Sequence, residues 1–87
     1  MATVFIPHQM RDLTGGEAQV EVAGKSIRQL IAALDAQYPG LAERLLKGDQ
    51  MAPGLAVSID GAISPRGPLA AVGPQSEVHI LPAIGGG

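Results

Sequence analysis

The sequence contains no cysteine and no tryptophan, and its only Phe, Tyr or Trp residues are Phe5 and Tyr38. Without cysteine the chain cannot form disulfides, thiolate metal sites or a side-chain sulfur nucleophile. With so few aromatic side chains, the core has to be aliphatic. The 87 residues are enough for one small domain, and a hydrophobic share of 46% is typical of a globular chain rather than a disordered one.

The sequence also lacks a surplus of positive charge and a long apolar run. Its formal net charge is −2, so it has no electrostatic footprint for nucleic acid or for an anionic membrane. No apolar stretch approaches the roughly 18 residues that a transmembrane helix needs. The first residues, 1–4, lack the charged and apolar regions of a signal peptide. We therefore expect a cytoplasmic protein whose partners include neither nucleic acid nor a membrane.

Motifs for metal binding and catalysis are missing as well. His8 and His79 lie far apart and have no acidic companions at ligand spacing, so we expect no metal site. No serine stands in a nucleophile elbow, and the terminal glycines lack the lysine, Ser/Thr and helix of a phosphate loop. We therefore expect no bound cofactor and no enzyme active site.

The first half of the chain predicts a hairpin followed by a helix. Residues 2–7 and 18–23 alternate like strands, and the polar segment 8–17 between them is predicted to be a loop in which Arg11 and Asp12 are solvated. Ser26 is a predicted helix N-cap, with Gln29 completing a capping box. The apolar face of that helix has the spacing of a helix packed on a sheet; it consists of Ile27, Leu30, Ile31, Leu34 and Tyr38.

The second half predicts short elements separated by loops. Leu41, Leu45 and Leu46 indicate a further helical turn, and 48–54 is predicted to be a loop. Strand 55–59, the tight turn at 60–61 and a short return at 62–63 form a second hairpin. An irregular segment, 64–76, leads to a last strand, 77–81, whose pairing is expected to stop at Pro82. The fold class is α+β in two layers, with the first and last strands side by side in the middle.

The chain ends in Pro82, Ala83 and Ile84 followed by Gly85, Gly86 and Gly87. We expect residues 1–82 to form the domain and residues 83–87 to form a flexible tail. Glycine has no Cβ, so such a tail is thin enough to enter a narrow channel, and six residues reach roughly 20 Å when extended. The alternative interpretation is a frayed terminus without function.

Alternation places Phe5 on the strand face opposite Val4 and Ile6, away from the helix. His79 and Leu81 point the same way from the last strand. If the two strands are neighbours, Phe5, His79 and Leu81 form an apolar patch beside the tail, typical of a partner surface. The alternative is a single exposed phenylalanine, which needs no explanation.

These features resemble the ubiquitin-like sulfur carriers, the family of the molybdopterin synthase small subunit and the thiamine-biosynthesis sulfur carrier. The matching segments are 78–86 at the C-terminal end, the 60–61 turn and the helix after a hairpin, so the likeness covers nearly the whole chain. It implies a β-grasp (ubiquitin-like) fold with four to five strands and one main helix. Within the family the chain is most similar to the carrier of the thiocarboxylate-dependent cysteine pathway, in Ile6-Pro7, Arg11, 14–16, Tyr38 with Gly40, and 43–45.

The resemblance also implies a chemistry. An ATP-dependent activating enzyme of the ubiquitin-activating type adenylates the C-terminal glycine, and a persulfide donor converts the adenylate into a thiocarboxylate. The protein would then be a co-substrate and not a catalyst. The implied reactive segment is Gly85 to Gly87, and Pro82, Ala83 and Ile84 join the patch as partner contacts. Because the family typically ends in two glycines, either Gly87 is the reactive end or it is trimmed to Gly86.

Two questions stay open at this point. The sulfur acceptor is a cysteine synthase, a molybdopterin synthase large subunit or a thiazole synthase. A ubiquitin-like modifier joined to lysines through the same glycine would need the same activation, and a plain interaction module would need none.

Overall fold

The computed structural model describes residues 1–82, so the predicted tail, residues 83–87, lies outside the described residues. Within that range the chain forms seven strands, two α-helices and two 3-10 segments. In order they are β1 (Ala2–Phe5), a 3-10 helix (His8–Thr14), β2 (Gln19–Val22), α1 (Ile27–Gln37), α2 (Leu41–Leu45), β3 (Leu46–Lys47), β4 (Gln50–Met51), β5 (Leu55–Ile59), β6 (Ala62–Ile63), a second 3-10 segment (Gly67–Leu69) and β7 (Glu77–Pro82).

Five of these strands in residues 1–82 form a mixed sheet in the order β2-β1-β7-β5-β6. Strand β7 pairs in parallel with β1 and antiparallel with β5, and the two hairpins, β1–β2 and β5–β6, are antiparallel. The predicted adjacency of the first and last strands at the centre of the sheet is confirmed. The turn between β5 and β6 has positive φ at Asp60 (51°) and Gly61 (91°), as a type I′ hairpin turn requires.

Helix α1 begins where the capping box predicts. The Ser26 hydroxyl accepts a hydrogen bond from the Gln29 backbone N–H (3.2 Å). The Gln29 side chain accepts one from the backbone N–H of Lys25 (2.8 Å), one residue earlier than in the usual box. The helix ends at Gln37, and its buried residues are the predicted Ile27, Leu30, Ile31 and Leu34.

The core lies between α1 and the inner face of the sheet. It is aliphatic, as the composition predicts, and its largest fully buried members are Val4, Ile6, Ile27, Leu30, Ile31, Leu34, Leu41, Leu45, Val57 and Val78. Helix α2 adds Leu41 and Leu45 to this core. Its first turn is capped from α1, because the Asp35 carboxylate accepts hydrogen bonds from the backbone N–H groups of Gly40 (3.0 Å) and Ala42 (3.1 Å).

The prediction for residues 8–17 was wrong in two respects. The segment is not a solvated loop, because most of it forms the 3-10 helix His8–Thr14, in which Met10 and Thr14 are buried. Arg11 is not a solvated charge either, since its Nε donates a hydrogen bond to the carbonyl oxygen of Ile6 (3.1 Å). The side chain therefore holds the end of β1 to the segment that follows it.

Smaller differences occur at three other places. Part of the loop predicted for 48–54 is strand β4, which forms a two-stranded hairpin with β3, the strand directly after α2. The segment 64–76 contains the short 3-10 turn Gly67–Leu69. The last strand is one residue longer than predicted, because Pro82 is the final residue of β7 and lies opposite Leu55 of β5. In the described part of the chain no helix is long and apolar enough to cross a membrane.

Candidate functional site

The candidate site is built around β7, the strand that leads to the C-terminal glycines. Its start is fixed by Asp60, which accepts hydrogen bonds from the Glu77 backbone N–H (2.8 Å) and the Ser76 hydroxyl (3.0 Å). The Asp60 backbone N–H donates in turn to the Glu77 carbonyl oxygen (2.8 Å). With β1 on one side and β5 on the other, β7 carries the chain to Pro82 on a rigid central element.

Residues of β7 alternate between the core and the opposite face of the sheet. Val78 and Ile80 are buried against the helix layer, whereas His79 and Leu81 are half-buried on the other side. Thr3 and Phe5 of β1 are also half-buried and lie on this side, which we call the open face of the sheet. The open face is therefore where side chains beside the tail are accessible to a partner.

Phe5 and His79 are brought together on the open face, as the sequence predicts. They are opposite each other in the parallel β1–β7 register. Their rings are stacked with centroids 4.2 Å apart and an interplanar angle of 3°. A Phe that packs on its neighbour in this way is not an isolated exposed side chain, so the geometry favours the patch over the alternative.

Leu81 lies on the same face, two residues nearer the tail, and is paired with Ala56 of β5. The next residue, Pro82, is the last described residue and lies opposite Leu55, at the start of β5. Thus Leu81 adjoins Pro82, and the Phe5–His79 pair lies two residues further back on the same face. The remaining predicted site residues, Ala83 to Gly87, are outside the described range.

The strand register extends the patch to residues that the sequence did not assign to it. Ser58 of β5 is opposite both His79 and Ile63, and Gln19 is opposite Phe5. The open face therefore has a middle row that crosses all five strands: Gln19, Phe5, His79, Ser58 and Ile63. Ile63 is 61% exposed. Alternation alone predicts the face of each residue, but only the register shows which residues are neighbours.

Metal binding has no geometric support in this region. Within residues 1–82 no group of three or more His, Asp or Glu side chains is arranged to hold a metal ion. The open face offers a partner apolar and aromatic side chains, together with the carboxylates of Glu21 and Glu77.

A five-stranded mixed sheet with parallel terminal strands at its centre and one main helix across a single face defines a β-grasp, ubiquitin-like domain. Residues 4–87 match the ThiS family, and the chain belongs to that family. Sequence relatives agree: the chain is 34% identical over 92 residues to the "Sulfur carrier protein CysO" of Mycobacterium tuberculosis, covering 98% of this chain and 97% of that protein. The Mycobacterium bovis protein of the same name matches equally well.

Solved structures give the same result. The chain superposes with a TM-score of 0.88 and 31% identity on a chain of the Amycolatopsis orientalis BexX/CysO complex, covering 100% of both chains. It superposes on Mycobacterium tuberculosis CysO with a TM-score of 0.87 and 28% identity, covering 97% of this chain and 100% of the other. A similarity to the small archaeal modifier protein 1 of Methanosarcina acetivorans, at 21% identity and a TM-score of 0.75, shows the fold alone.

Proposed function

We propose that this protein is a sulfur carrier that transports sulfur as a thiocarboxylate on its C-terminal glycine. The observation that carries the proposal is the full-length match to curated sulfur carriers, in a chain whose central strand leads directly to three terminal glycines. The absence of cysteine is compatible with this role, because the sulfur is carried on the end of the main chain.

The proposed cycle begins with the terminal carboxylate, which is anionic at neutral pH. A carboxylate is a poor electrophile, so it first attacks the α-phosphate of ATP on an activating enzyme, and pyrophosphate leaves. A persulfide of the sulfur donor then displaces AMP from the acyl-adenylate. Cleavage of the resulting acyl disulfide by a thiol leaves the thiocarboxylate. The protein is consumed and regenerated, and ATP is used by the activating enzyme rather than bound here as a resident cofactor.

The geometry supports separate roles for the domain and the tail. Phe5, His79 and Leu81 sit on the open face beside the exit at Pro82. A partner that covers these side chains is therefore positioned to receive Ala83, Ile84 and the glycines in its active-site channel. We infer that the patch docks the activating enzyme and, later, the sulfur-accepting synthase.

Among possible acceptors we favour an enzyme of cysteine biosynthesis. The likeness to the cysteine-pathway carrier includes Arg11, whose hydrogen bond to Ile6 is structural, and the segments around Thr14 and Glu43. Because ATP and a persulfide donor are both needed, the proposed reaction belongs in the cytoplasm. The alternative, a modifier conjugated to lysines through the same tail, has less support, because the solved modifier proteins share only the fold with this chain.

The test is the intact mass of the protein isolated from its own cells, together with ATP–pyrophosphate exchange on the cognate activating enzyme. A carrier gains about 16 Da when sulfur replaces one carboxylate oxygen, and it supports exchange. Ladders of lysine conjugates without the thiocarboxylate would instead identify a modifier. Failure of the wild-type protein to support any exchange would overturn the proposal in both forms.

A further inference from the structure

The open face carries negative charge at the end far from the tail. In the register of the three strands on that side, Thr3 of β1 lies between Glu21 of β2 and Glu77 of β7. Both glutamates are exposed, and neither forms a salt bridge within the described residues. Since adjacent strands are about 4.8 Å apart, the two glutamates are separated by roughly 10 Å across the sheet. We call Glu21, Thr3 and Glu77 the acidic row.

A third carboxylate, that of Asp60, lies at the same end of the sheet. Its two oxygens accept hydrogen bonds from Ser76 and Glu77, so it is committed to holding the start of β7. The Asp60 carboxylate therefore adds negative charge at this end of the sheet, but its oxygens are already occupied by hydrogen bonds within the domain.

Positive charge is placed elsewhere on the molecule. The chain has six Lys and Arg residues, and none of them is in a strand of the five-stranded sheet. They lie in the first 3-10 helix, the helix layer, the β3–β4 hairpin and the connecting segments: Arg11, Lys25, Arg28, Arg44, Lys47 and Arg66. No Lys or Arg therefore lies in a strand next to Glu21 or Glu77, and neither glutamate has a salt-bridge partner among the described residues. The positive group placed nearest along the chain is the ammonium of Met1, which directly precedes β1.

Three zones follow one another along β7. The acidic row is at Glu77, the stacked rings are two residues further on at His79, and Leu81 is two residues beyond that, next to the exit. At about 3.3 Å per residue, the acidic row lies roughly 13 Å from Leu81. The zones are on one face, so a single partner that covers the aromatic patch also meets the acidic row.

We propose that the enzyme that docks on this face presents basic side chains, arginine or lysine, opposite Glu21 and Glu77, on the side of its docking site away from the channel that receives the tail. The inference rests on the proposed function and adds to it the charge of the partner. Apolar contact at Phe5, His79 and Leu81 supplies affinity, whereas complementary charge at the rim steers encounter and fixes which way round the carrier docks. The orientation matters because only one end of β7 leads to the reactive glycines.

The experiment measures association of the full chain with its cognate activating enzyme by stopped flow, and KM in pyrophosphate exchange, at 50 mM and 500 mM NaCl. The variants are Glu21→Gln, Glu77→Gln and the double variant. Glu43→Gln is the matched control, because it removes the same charge from an exposed position on α2, in the helix layer. Thermal melts confirm that each variant is folded.

At low salt we expect each sheet variant to slow association about 2- to 5-fold and the double variant about 5- to 20-fold, with the control unchanged. At high salt, where the screening length falls to a few Å, the differences should nearly vanish. Equal rates and equal salt dependence for wild type and double variant would overturn the inference, as would an effect of Glu43→Gln as large as that of Glu21→Gln. Exchange by the wild type with no sensitivity to Glu21 or Glu77 overturns this inference alone, whereas no exchange by the wild type overturns the proposed function.

Discussion

At the scale of single residues, Phe5, for which we propose a docking role, is held by the sheet without belonging to the core. Its backbone is part of β1, and its ring lies on the open face, where it stacks on the ring of His79. Replacing it with serine removes the ring from the open face but leaves the aliphatic core intact. We therefore expect Phe5→Ser to weaken binding of the activating enzyme by about tenfold or more, as for a buried aromatic anchor.

The same variant should change stability only by the loss of one aromatic pair, about 0.5–1.5 kcal/mol in denaturant melts. Leu69→Ser is the matched control, because Leu69 is also an exposed apolar side chain (59%) but lies outside the sheet strands. A large loss of stability with unaltered binding would place Phe5 in the core and remove it from the docking surface.

Arg11 is a residue whose role the sequence did not reveal. The polar segment around it suggested a solvated loop, yet its Nε bonds to the Ile6 carbonyl oxygen at the end of β1. Its position five residues after Ile6 follows no helical or strand period that would indicate this hydrogen bond. Arg11→Met keeps the aliphatic stem but removes the donor, and should cost about 1–2 kcal/mol of unfolding free energy.

Asp12→Asn, which changes the adjacent exposed charge, should stay within about 0.5 kcal/mol of wild type in the same urea melts. Equal stability of Arg11→Met and wild type would show that the hydrogen bond contributes nothing net.

At the scale of elements, α1 contributes the helix side of the core. Leu30 is 1% exposed and is surrounded by other buried aliphatic side chains of α1 and the sheet. Leu30→Ala should therefore cost about 2–5 kcal/mol, the range for truncating a fully buried leucine. The measurement is the free energy of unfolding in denaturant, with Leu69→Ala as the exposed control. A loss below about 0.5 kcal/mol for Leu30→Ala would mean that the helix packs on the sheet through another face.

The longer elements that the sequence predicted have a repeated signal, whereas the short strand β6 was predicted from the tight turn that precedes it. Helix α1 has a capping box and several periodic apolar residues, and strands β1, β2, β5 and β7 alternate over four or more residues. Strands β3 and β4 have two residues each, too few to show a period. The 3-10 helix His8–Thr14 is anchored by only two buried side chains, Met10 and Thr14, so no apolar pattern marks it. Strand β7 is one residue longer than the predicted 77–81, because proline, which lacks a backbone donor, can still occupy the last position of a strand.

At the scale of the whole molecule, the two faces of the five-stranded sheet differ: one packs against the helices and the other does not contribute to the core. The inner face buries Val4, Val57 and Val78 against the helix layer and supplies stability. The open face has the stacked rings and the acidic row, which we propose as the contacts for partners. The sequence predicted the centre of this site, Phe5 with His79 and Leu81, from alternation. It could not predict the acidic row, because Glu21 and Glu77 become neighbours of Thr3 only through strand register.

The last prediction separates the chemistry of the C-terminal end from the stability of the domain. Because the core lies within residues 1–82, deleting Gly86 and Gly87 should leave the melting temperature unchanged while shortening the reach of the carboxylate by roughly 7 Å and abolishing pyrophosphate exchange. Gly86→Val keeps the length and the carboxylate but adds a β-branched side chain, and should also block exchange. A chain ending at Gly86 is the finer control: it stays active if Gly87 is surplus and fails if Gly87 is the reactive residue. If the chain lacking both glycines is adenylated as fast as the full chain, the terminal carboxylate of this protein is not the site of activation.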